Sequence, residues 1–398
     1  MTPWLHVVGI GEDGFDGLSP ALRALVTEAE VLVGGARHHR LTEGARGERI
    51  AWPSPWDAML GALKGLRGRR VVVLVTGDPL WFSGGERIVA AFPGEAVVHP
   101  HPGAFQLAAS RMGWPMDGIE GLTVHGRPVE RLVPHLAPGA RWLVLVHGPE
   151  TAGEVARLLA ARGFGASPIV ALSHMGGPEE RRVEATAEGW EGQTPALCTL
   201  AVECVAGPGA RVLARTGLPD DAFESDGTMT KREVRAATLA KLVPLPGALL
   251  WDVGLGSGSV AIEWMRAAKG ARAVGVESRA DRRAMAAANA LALGVPDLEV
   301  VAGEAPGALD GLPEPDAVFL GGGLSEGAFE IAWERLKSGG RIVANAVTLE
   351  GEAVMMGLHA RHGGDLVRIA VSRAEPVGRL TGWRPAMEVM QWSLAKPW

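Results

Sequence analysis

Apolar residues along the 398-residue chain fall into two kinds of segment. The first is a short continuous run that stops at glycine or a polar turn: Leu5 to Ile10, Ala29 to Val33, Val71 to Thr76, Ala96 to His99, Arg141 to Val146 and Leu249 to Val253. Runs of that length, bounded by turn residues, predict strands of the kind buried in parallel sheets. The second kind has helical spacing, as in Pro149 to Ala161 and in Ser259 to Ala267, where Val260, Ile262, Trp264 and Met265 are apolar. Arg182 to Ala187 and Ala196 to Val205 predict strands that close the first half. Strands alternating with helices throughout predict an α/β fold. The chain is too long for one ordinary core. The Gly-, Pro- and Arg-rich stretch 206–216 predicts a linker between domains 1–205 and 217–398.

The clearest chemical signal lies between Thr228 and Glu277. The run Leu249 to Val253 ends in Gly254, Gly256 and Gly258, preceded by Asp252 and interleaved with Leu255 and Ser257. Glycine there lets the backbone turn sharply and meet a ligand with no side chain between them. Nineteen residues beyond Gly258, the run Ala273 to Val276 ends in Glu277. A carboxylate at the carboxyl end of the neighbouring strand can accept both hydroxyl hydrogens of a ribose. The unit predicts a nucleoside site, for NAD or S-adenosylmethionine. NAD binding wants G-x-G-x-x-G, whereas the spacing here is G-x-G-x-G, which resembles motif I of the Rossmann-like methyltransferases. A glycine-rich turn without a ligand is the bland alternative. The downstream order favours the methyltransferase reading: GEAPGAL (303–309) puts Glu304 and Ala305 beside an adenine, and EPDAVFLGGG (314–323) reads as a fourth strand. LKSGGRIVANAVTLE (336–350) then reads as helix, double-glycine turn and strand. Thr230 followed by Glu233 reads as a capping box.

The first half carries a decoy. Gly9, Gly11 and Gly14 spell G-x-G-x-x-G after the first strand, which alone suggests a dinucleotide. However, Ser19 and Pro20 form an N-cap and first-turn pair, so Phe15 to Ser19 separate the helix from the glycines. The polar cluster Arg37, His38, His39 and Arg40 reads either as a solvated loop or as a binder of an acidic substrate. GDPLWFSGG (77–85) turns at the carboxyl end of a strand, well placed to present backbone groups to a ligand.

Composition narrows the partners. Hydrophobic residues make up 47% and charged residues 21%, as in a folded globular protein. Through residue 210 there are 18 basic and 22 acidic residues, and beyond it 21 and 23, so neither half has the basic excess of a nucleic-acid binder. Cys198 and Cys204 lie in an apolar run and read as buried free thiols. The start, MTPWLHVVGIG, lacks the basic flank of a signal peptide, and no apolar run approaches membrane-spanning length, so a cytoplasmic protein without membrane partners is expected.

With these residues in view, the first half resembles the tetrapyrrole methylase family, in the branch acting late on the corrin ring. The matching residues are GIGEDG (9–14), VGGARHH (33–39), VTGDPLWFSGG (75–85) and HPGAFQLAASRMGWP (101–115). The resemblance implies a two-lobed α/β fold holding S-adenosylmethionine between its lobes, lined by Gly9, Gly11, Gly77, Asp78 and Ser83. The second half resembles the decarboxylating precorrin methyltransferase domain, on GLPDDAFESDGTMTKREVRAATLAKL (217–242), WDVGLGSGSVAIE, GEAPGAL, DAVFLGGG and GRIVANAVTLE. This implies a Rossmann-like S-adenosylmethionine-dependent methyltransferase domain, in which Thr230 also touches the cofactor. Two positions depart from the pattern: Leu255, where alanine or cysteine is commoner, and Glu277, where aspartate also occurs.

Together the resemblances imply a C-methyltransferase of cobalamin biosynthesis with one S-adenosylmethionine per domain. Its first domain would methylate carbon 5 of a reduced tetrapyrrole. Its second would methylate carbon 15 and release the ring-C acetate carboxyl. That chemistry requires no metal. A polycarboxylate macrocycle wants arginine forks, and Arg232, Arg235 and Arg373 are candidates, with Arg368, Arg379 and Arg384. Asn345 is a further substrate candidate. A homo-oligomer formed through the C-terminal domain is expected. Alternatives kept open are a cobalt-containing macrocycle, methylation of RNA or a protein side chain on the same folds, and a first domain serving only as scaffold. No acid or base is assignable from the sequence.

Overall fold

Strands form where the continuous apolar runs lie. The computed structural model describes residues 3–56 and 58–398. In the first unit, β1 (Leu5–Ile10), β2 (Val31–Gly34), β3 (Glu48–Ala51), β4 (Val71–Thr76) and β5 (Ala96–His99) form a parallel sheet in the order β3-β2-β4-β1-β5. Alternate residues divide between two cores. Leu5, Val7, Val31, Val71 and Val73 pack on one face, while Val8, Ile10, Leu32, Val72 and Leu74 pack on the other. Because Ile10 registers with Thr76, the loops after β1 and β4 leave the sheet side by side.

The polar cluster after β2 corrects the sequence reading. It is the helix Ala36–Leu41, not a solvated loop. His38 accepts from the Gly35 amide at 3.1 Å, and the Thr42 hydroxyl donates to the His38 carbonyl at 2.9 Å. Burial, then the neighbouring Arg37 and His39 charges, pushes the His38 imidazole down to about 4, so it is neutral.

The second sheet of this unit contains β6 (Glu120–Thr123), β7 (Arg141–Leu145), β8 (Pro168–Ser173), β9 (Arg181–Thr186) and β10 (Cys198–Glu203), in the order β6-β7-β10-β8-β9. Only β6 and β7 run parallel. Cys198 and Cys204 are buried free thiols, and burial pushes the Cys204 thiol up to about 12.

The second unit comprises Val212–Trp398 with the short segment Glu130–Leu136. Its strands are β11 (Leu249–Val253), β12 (Arg272–Glu277), β13 (Glu299–Ala302), β14 (Ala317–Leu320), β15 (Arg341–Ala346), β16 (Asp365–Ile369), β17 (Ser372–Val377), β18 (Leu380–Pro385) and β19 (Val389–Ala395). Seven form one sheet in the order β13-β12-β11-β14-β15-β19-β16, with β19 antiparallel to both neighbours. The remaining two, β17 and β18, pair as a hairpin. From β11 the chain builds outward to β12 and β13, then returns to the other side of β11 for β14 and β15. The border of β11 and β14 is therefore the topological switch point, where α/β sheets bind ligands beyond their strand ends. No helix among the described residues is long and apolar enough to cross a membrane.

Candidate cofactor sites

At the switch point of the second unit, two glycine loops meet. Gly254, Gly256 and Gly258 all have positive φ, at 81°, 56° and 77°. A Cβ on Gly254 would collide with the Gly323 amide nitrogen and come within 2.8 Å of that of Gly322, so no other residue fits. Over Gly256, in contrast, nothing would lie closer than 3.9 Å, which leaves room for a ligand. Glu277, at the end of β12, sits beside that opening. Its Oε2 accepts from the Gly256 amide at 2.9 Å and its Oε1 from the Arg279 amide at 3.0 Å. Each oxygen keeps a lone pair for a ribose hydroxyl. Gly303 donates to the Glu277 carbonyl at 3.3 Å, which brings Glu304, exposed, and Ala305, half-buried, to the same edge.

Asp252 is buried beneath the loop. Its Oδ2 accepts from the Ala261 amide at 3.1 Å, while Oδ1 has no partner. Burial first, then the Glu277 charge, pushes its carboxyl up to about 7. Leu255, expected from the sequence among the cofactor-binding residues, turns its side chain away from the loop's open side. Its side chain is 5% exposed and belongs to the apolar core, and its amide donates to the Val276 carbonyl at 3.0 Å. Ser257 is buried, and its carbonyl accepts from Asn289 Nδ2 at 2.9 Å. Asn289 also exchanges hydrogen bonds with the Glu224 backbone in both directions, fastening the 217–230 segment to the glycine loop. Nothing in the spacing marked Asn289, a single amide within an otherwise amphipathic helix.

Thr230 and Glu233 form no capping box. The helix Arg232–Leu242 has Lys231 at its N-cap with no side-chain cap, and Asp220 accepts from the Arg232 amide at 2.9 Å instead. Thr230 is half-buried, with its carbonyl accepting from Arg235 Nη1 at 2.6 Å.

In the first unit the loops after β1, β4 and β5 converge. A Cβ on Gly9 would strike the Gly77 carbonyl oxygen, and one on Gly77 would lie 2.8 Å from Gly103 Cα. The packing is backbone against backbone. Gly11, Gly77, Asp78 and Ser83 line a cavity of about 660 Å³, whereas Gly9 is sealed behind them. Asp78 Oδ1 accepts from the Leu80 amide at 2.8 Å, holding the turn that displays Trp81 and Phe82, each about half exposed, at the cavity wall. The cavity also takes in Glu12, Arg37, Arg87, His125, Arg127 and His174. Charged and imidazole side chains scattered over five loops and elements leave no spacing for sequence reading to detect.

Residues 4–190 match the family described as tetrapyrrole (corrin/porphyrin) methylases, and residues 221–396 match the precorrin methyltransferase domain family. A Sinorhizobium protein named precorrin-6Y C(5,15)-methyltransferase [decarboxylating] is 47% identical over 404 residues, covering 100% of this chain and 97% of its own. The chain belongs to this family. Its Mycobacterium tuberculosis relative of the same name is 40% identical, over 98% of this chain and 99% of its own. The crystal structure of the C-terminal domain of precorrin-6Y C5,15-methyltransferase from Rhodobacter capsulatus is 49% identical, covers 46% of this chain and 100% of its own, and has a TM-score of 0.44.

The precorrin-6Y methyltransferase family is S-adenosylmethionine-dependent, and both sites have features that suit such a ligand. The second unit offers a carboxylate beside an open glycine loop and an orphaned buried oxygen on Asp252. The first offers a cavity within the ordinary size range of small-molecule sites. Among the expected substrate arginines, Arg235 is a correction. Its side chain is fully buried, paired with Glu263 at 2.6 Å and Asp220 at 3.3 Å, and donates to the Leu218 and Thr230 carbonyls. It fastens the segment entering the domain and, being fully buried with four of its five N–H groups taken, is turned away from any substrate. Arg373 pairs with Glu233 at 2.5 Å on a half-exposed side chain, and Arg232 is exposed. Asn345, near the end of β15, donates to Thr238 Oγ1 and accepts from Gln391 Nε2, both at 3.0 Å.

Proposed function

We propose that the chain methylates carbons 5 and 15 of precorrin-6B and releases the ring-C acetate carboxyl as carbon dioxide, in the cytoplasm, using one S-adenosylmethionine in each unit. The observation that carries this reading is two separate sets of strand-end glycine loops in one chain. S-adenosylmethionine supplies a methyl group on a sulfonium, open to in-line displacement by an electron-rich ring carbon. The residues' work is positional. Holding donor and acceptor in a near-attack geometry is worth up to ~7–11 kcal/mol in well-oriented cases. In the second unit, Glu277 and the glycine loop would fix the nucleoside, with Asp252 beneath it and Glu304 and Ala305 at the adenine edge. In the first, Gly11, Gly77, Asp78 and Ser83 would do so, with Gly9 supporting the loop from behind. Trp81 and Phe82 present apolar surface of the kind a planar macrocycle covers. Arg37, Arg87 and Arg127 supply positive charge for its carboxylates.

We assign carbon 5 to the first unit and carbon 15 with decarboxylation to the second, where Arg232, Arg373 and Asn345 are the substrate candidates. The decisive experiment is mass spectrometry of the intact chain with precorrin-6B and S-adenosylmethionine. Two methyl groups gained and one carboxyl lost is the expected product. A product that keeps all its carboxyls overturns the reading.

Self-association through the second unit is supported by the β17–β18 hairpin, which exposes Val377 at 65%, Leu380 at 78% and Trp383 at 77%. Light scattering should give a multiple of the chain mass, reduced by Leu380→Glu with Trp383→Glu. A monomeric parent chain removes this part of the proposal.

A further inference from the structure

We propose that His174 is the base that removes the proton from carbon 5 after methyl transfer in the first unit, with Glu12 as its positioning partner. This rests on the reading of the first unit as the carbon-5 site. Glu12 follows β1 inside GIGEDG, and His174 follows β8 inside LSHMGG. His174 Nδ1 lies 3.0 Å from Glu12 Oε2, and the other Glu12 oxygen pairs with Arg37. A Cβ on Gly177 would lie 2.7 Å from Glu12 Cβ, so the turn carrying His174 needs glycine to let Glu12 in. Burial raises the Glu12 carboxyl, but the His174 hydrogen bond and the Arg37 charge outweigh it, and the balance is lowered. An ionised carboxylate only accepts, so Nδ1 carries the hydrogen, and in the neutral imidazole Nε2 is left with the lone pair. Among the described residues no protein group hydrogen-bonds Nε2, and His174 lines the cavity.

The backbone points the same way. His174 sits at φ 49°, a region that non-glycine residues seldom occupy. Its amide donates to the Leu197 carbonyl at 3.2 Å, and its carbonyl accepts from Gly177 at 3.0 Å. Strained positions of this kind cluster where a side chain must be aimed. His125 shares the cavity, but its Nδ1 is 3.4 Å from the Val146 carbonyl and no carboxylate orients it among the described residues.

The step balances. A π pair of the macrocycle forms the carbon–methyl bond as the carbon–sulfur bond breaks, with that pair staying on sulfur. The macrocycle is then cationic, with hydrogen and methyl on the same carbon. Nε2 takes the proton, the carbon–hydrogen pair re-enters the conjugated system, and the imidazolium is held against Glu12 until water removes its proton.

The variant His174→Gly suits the positive φ and opens a space for free imidazole. In the intact chain, carbon-5 methylation should fall ~10²–10⁴-fold, the range of general-base contributions. Added imidazole should restore part of it, while S-adenosylhomocysteine binding by calorimetry is retained. With deuterium at carbon 5 of the substrate, Glu12→Gln should show a larger isotope effect than the parent. A His174→Gly chain that methylates carbon 5 at the parental rate overturns the assignment. So does a slow variant with neither imidazole rescue nor, in Glu12→Gln, a changed isotope effect. A parent chain that leaves carbon 5 unmethylated removes the reaction reading itself and the base with it.

Discussion

Glu277 shows how one side chain serves both fold and ligand. Its two oxygens already take the Gly256 and Arg279 amides, so it sets the glycine loop before any nucleoside arrives. Glu277→Ala should lower S-adenosylhomocysteine affinity at the second-unit site by roughly tenfold to a hundredfold, the equivalent of ~1.5–3 kcal/mol for hydrogen bonds to a charged group. Calorimetry should find the first-unit site untouched, and equal loss at both sites would contradict the role. Asp252 makes a pH prediction. Its folded value, about 7, lies above the ordinary 3.8, so the folded state binds the proton more tightly. The stability this contributes is complete below about pH 4 and is lost as pH rises through about 7. Thermal melts of the ligand-free chain between pH 4 and 8 should therefore lose part of their downward slope in Asp252→Asn. Identical slopes would mean that Asp252 is already ionised in the folded chain. The acidic residues at both strand ends were legible because period and glycine spacing pointed at them. Their partners, the Ala261, Gly256 and Arg279 amides, were not, because backbone groups carry no sequence signature.

At the scale of elements, the instructive pair is Leu255 on the glycine loop and Gly275 on β12. A Cβ at Gly275 would lie 2.5 Å from Leu255 Cδ1. The glycine on the neighbouring strand makes room for the larger side chain. Gly275→Ala alone should destabilise by about 1–3 kcal/mol through overpacking. Combined with Leu255→Ala it should cost much less than the sum of the single changes, which denaturant titration of the four proteins measures as a coupling energy. Additive effects would break the link. Strand positions were readable from apolar runs, and β1, β4, β5 and β11 have the expected limits. The failures came where tertiary partners replaced local ones. Asp220 took over the helix start assigned to Thr230, and Arg235 turned inward to Glu263 while Lys231, Arg232 and Glu233 just before it stay exposed. With four charged residues among the five from Lys231 to Arg235, the spacing gives no hint of which one is buried.

At the scale of the whole molecule, the question is whether two sites divide one substrate's chemistry. Gly9 and Gly254 are the cleanest handles, because at each a Cβ meets backbone atoms that have no rotamer to escape into. Gly9 packs against the Gly77 carbonyl oxygen in the first unit, and Gly254 packs against Gly322 and Gly323 in the second. The parent chain should bind close to two S-adenosylhomocysteine molecules, while Gly9→Val and Gly254→Val should each bind close to one. Each variant should also melt with only one transition shifted, since the two units have separate cores. With precorrin-6B, Gly254→Val should add a methyl group at carbon 5 alone and release no carbon dioxide. Gly9→Val should methylate carbon 15 and still decarboxylate. The products are separable by mass and by NMR of the labelled methyl carbons. Carbon dioxide released by Gly254→Val at the parental rate would move decarboxylation to the first unit, and a parent stoichiometry of one would leave a single site serving both carbons.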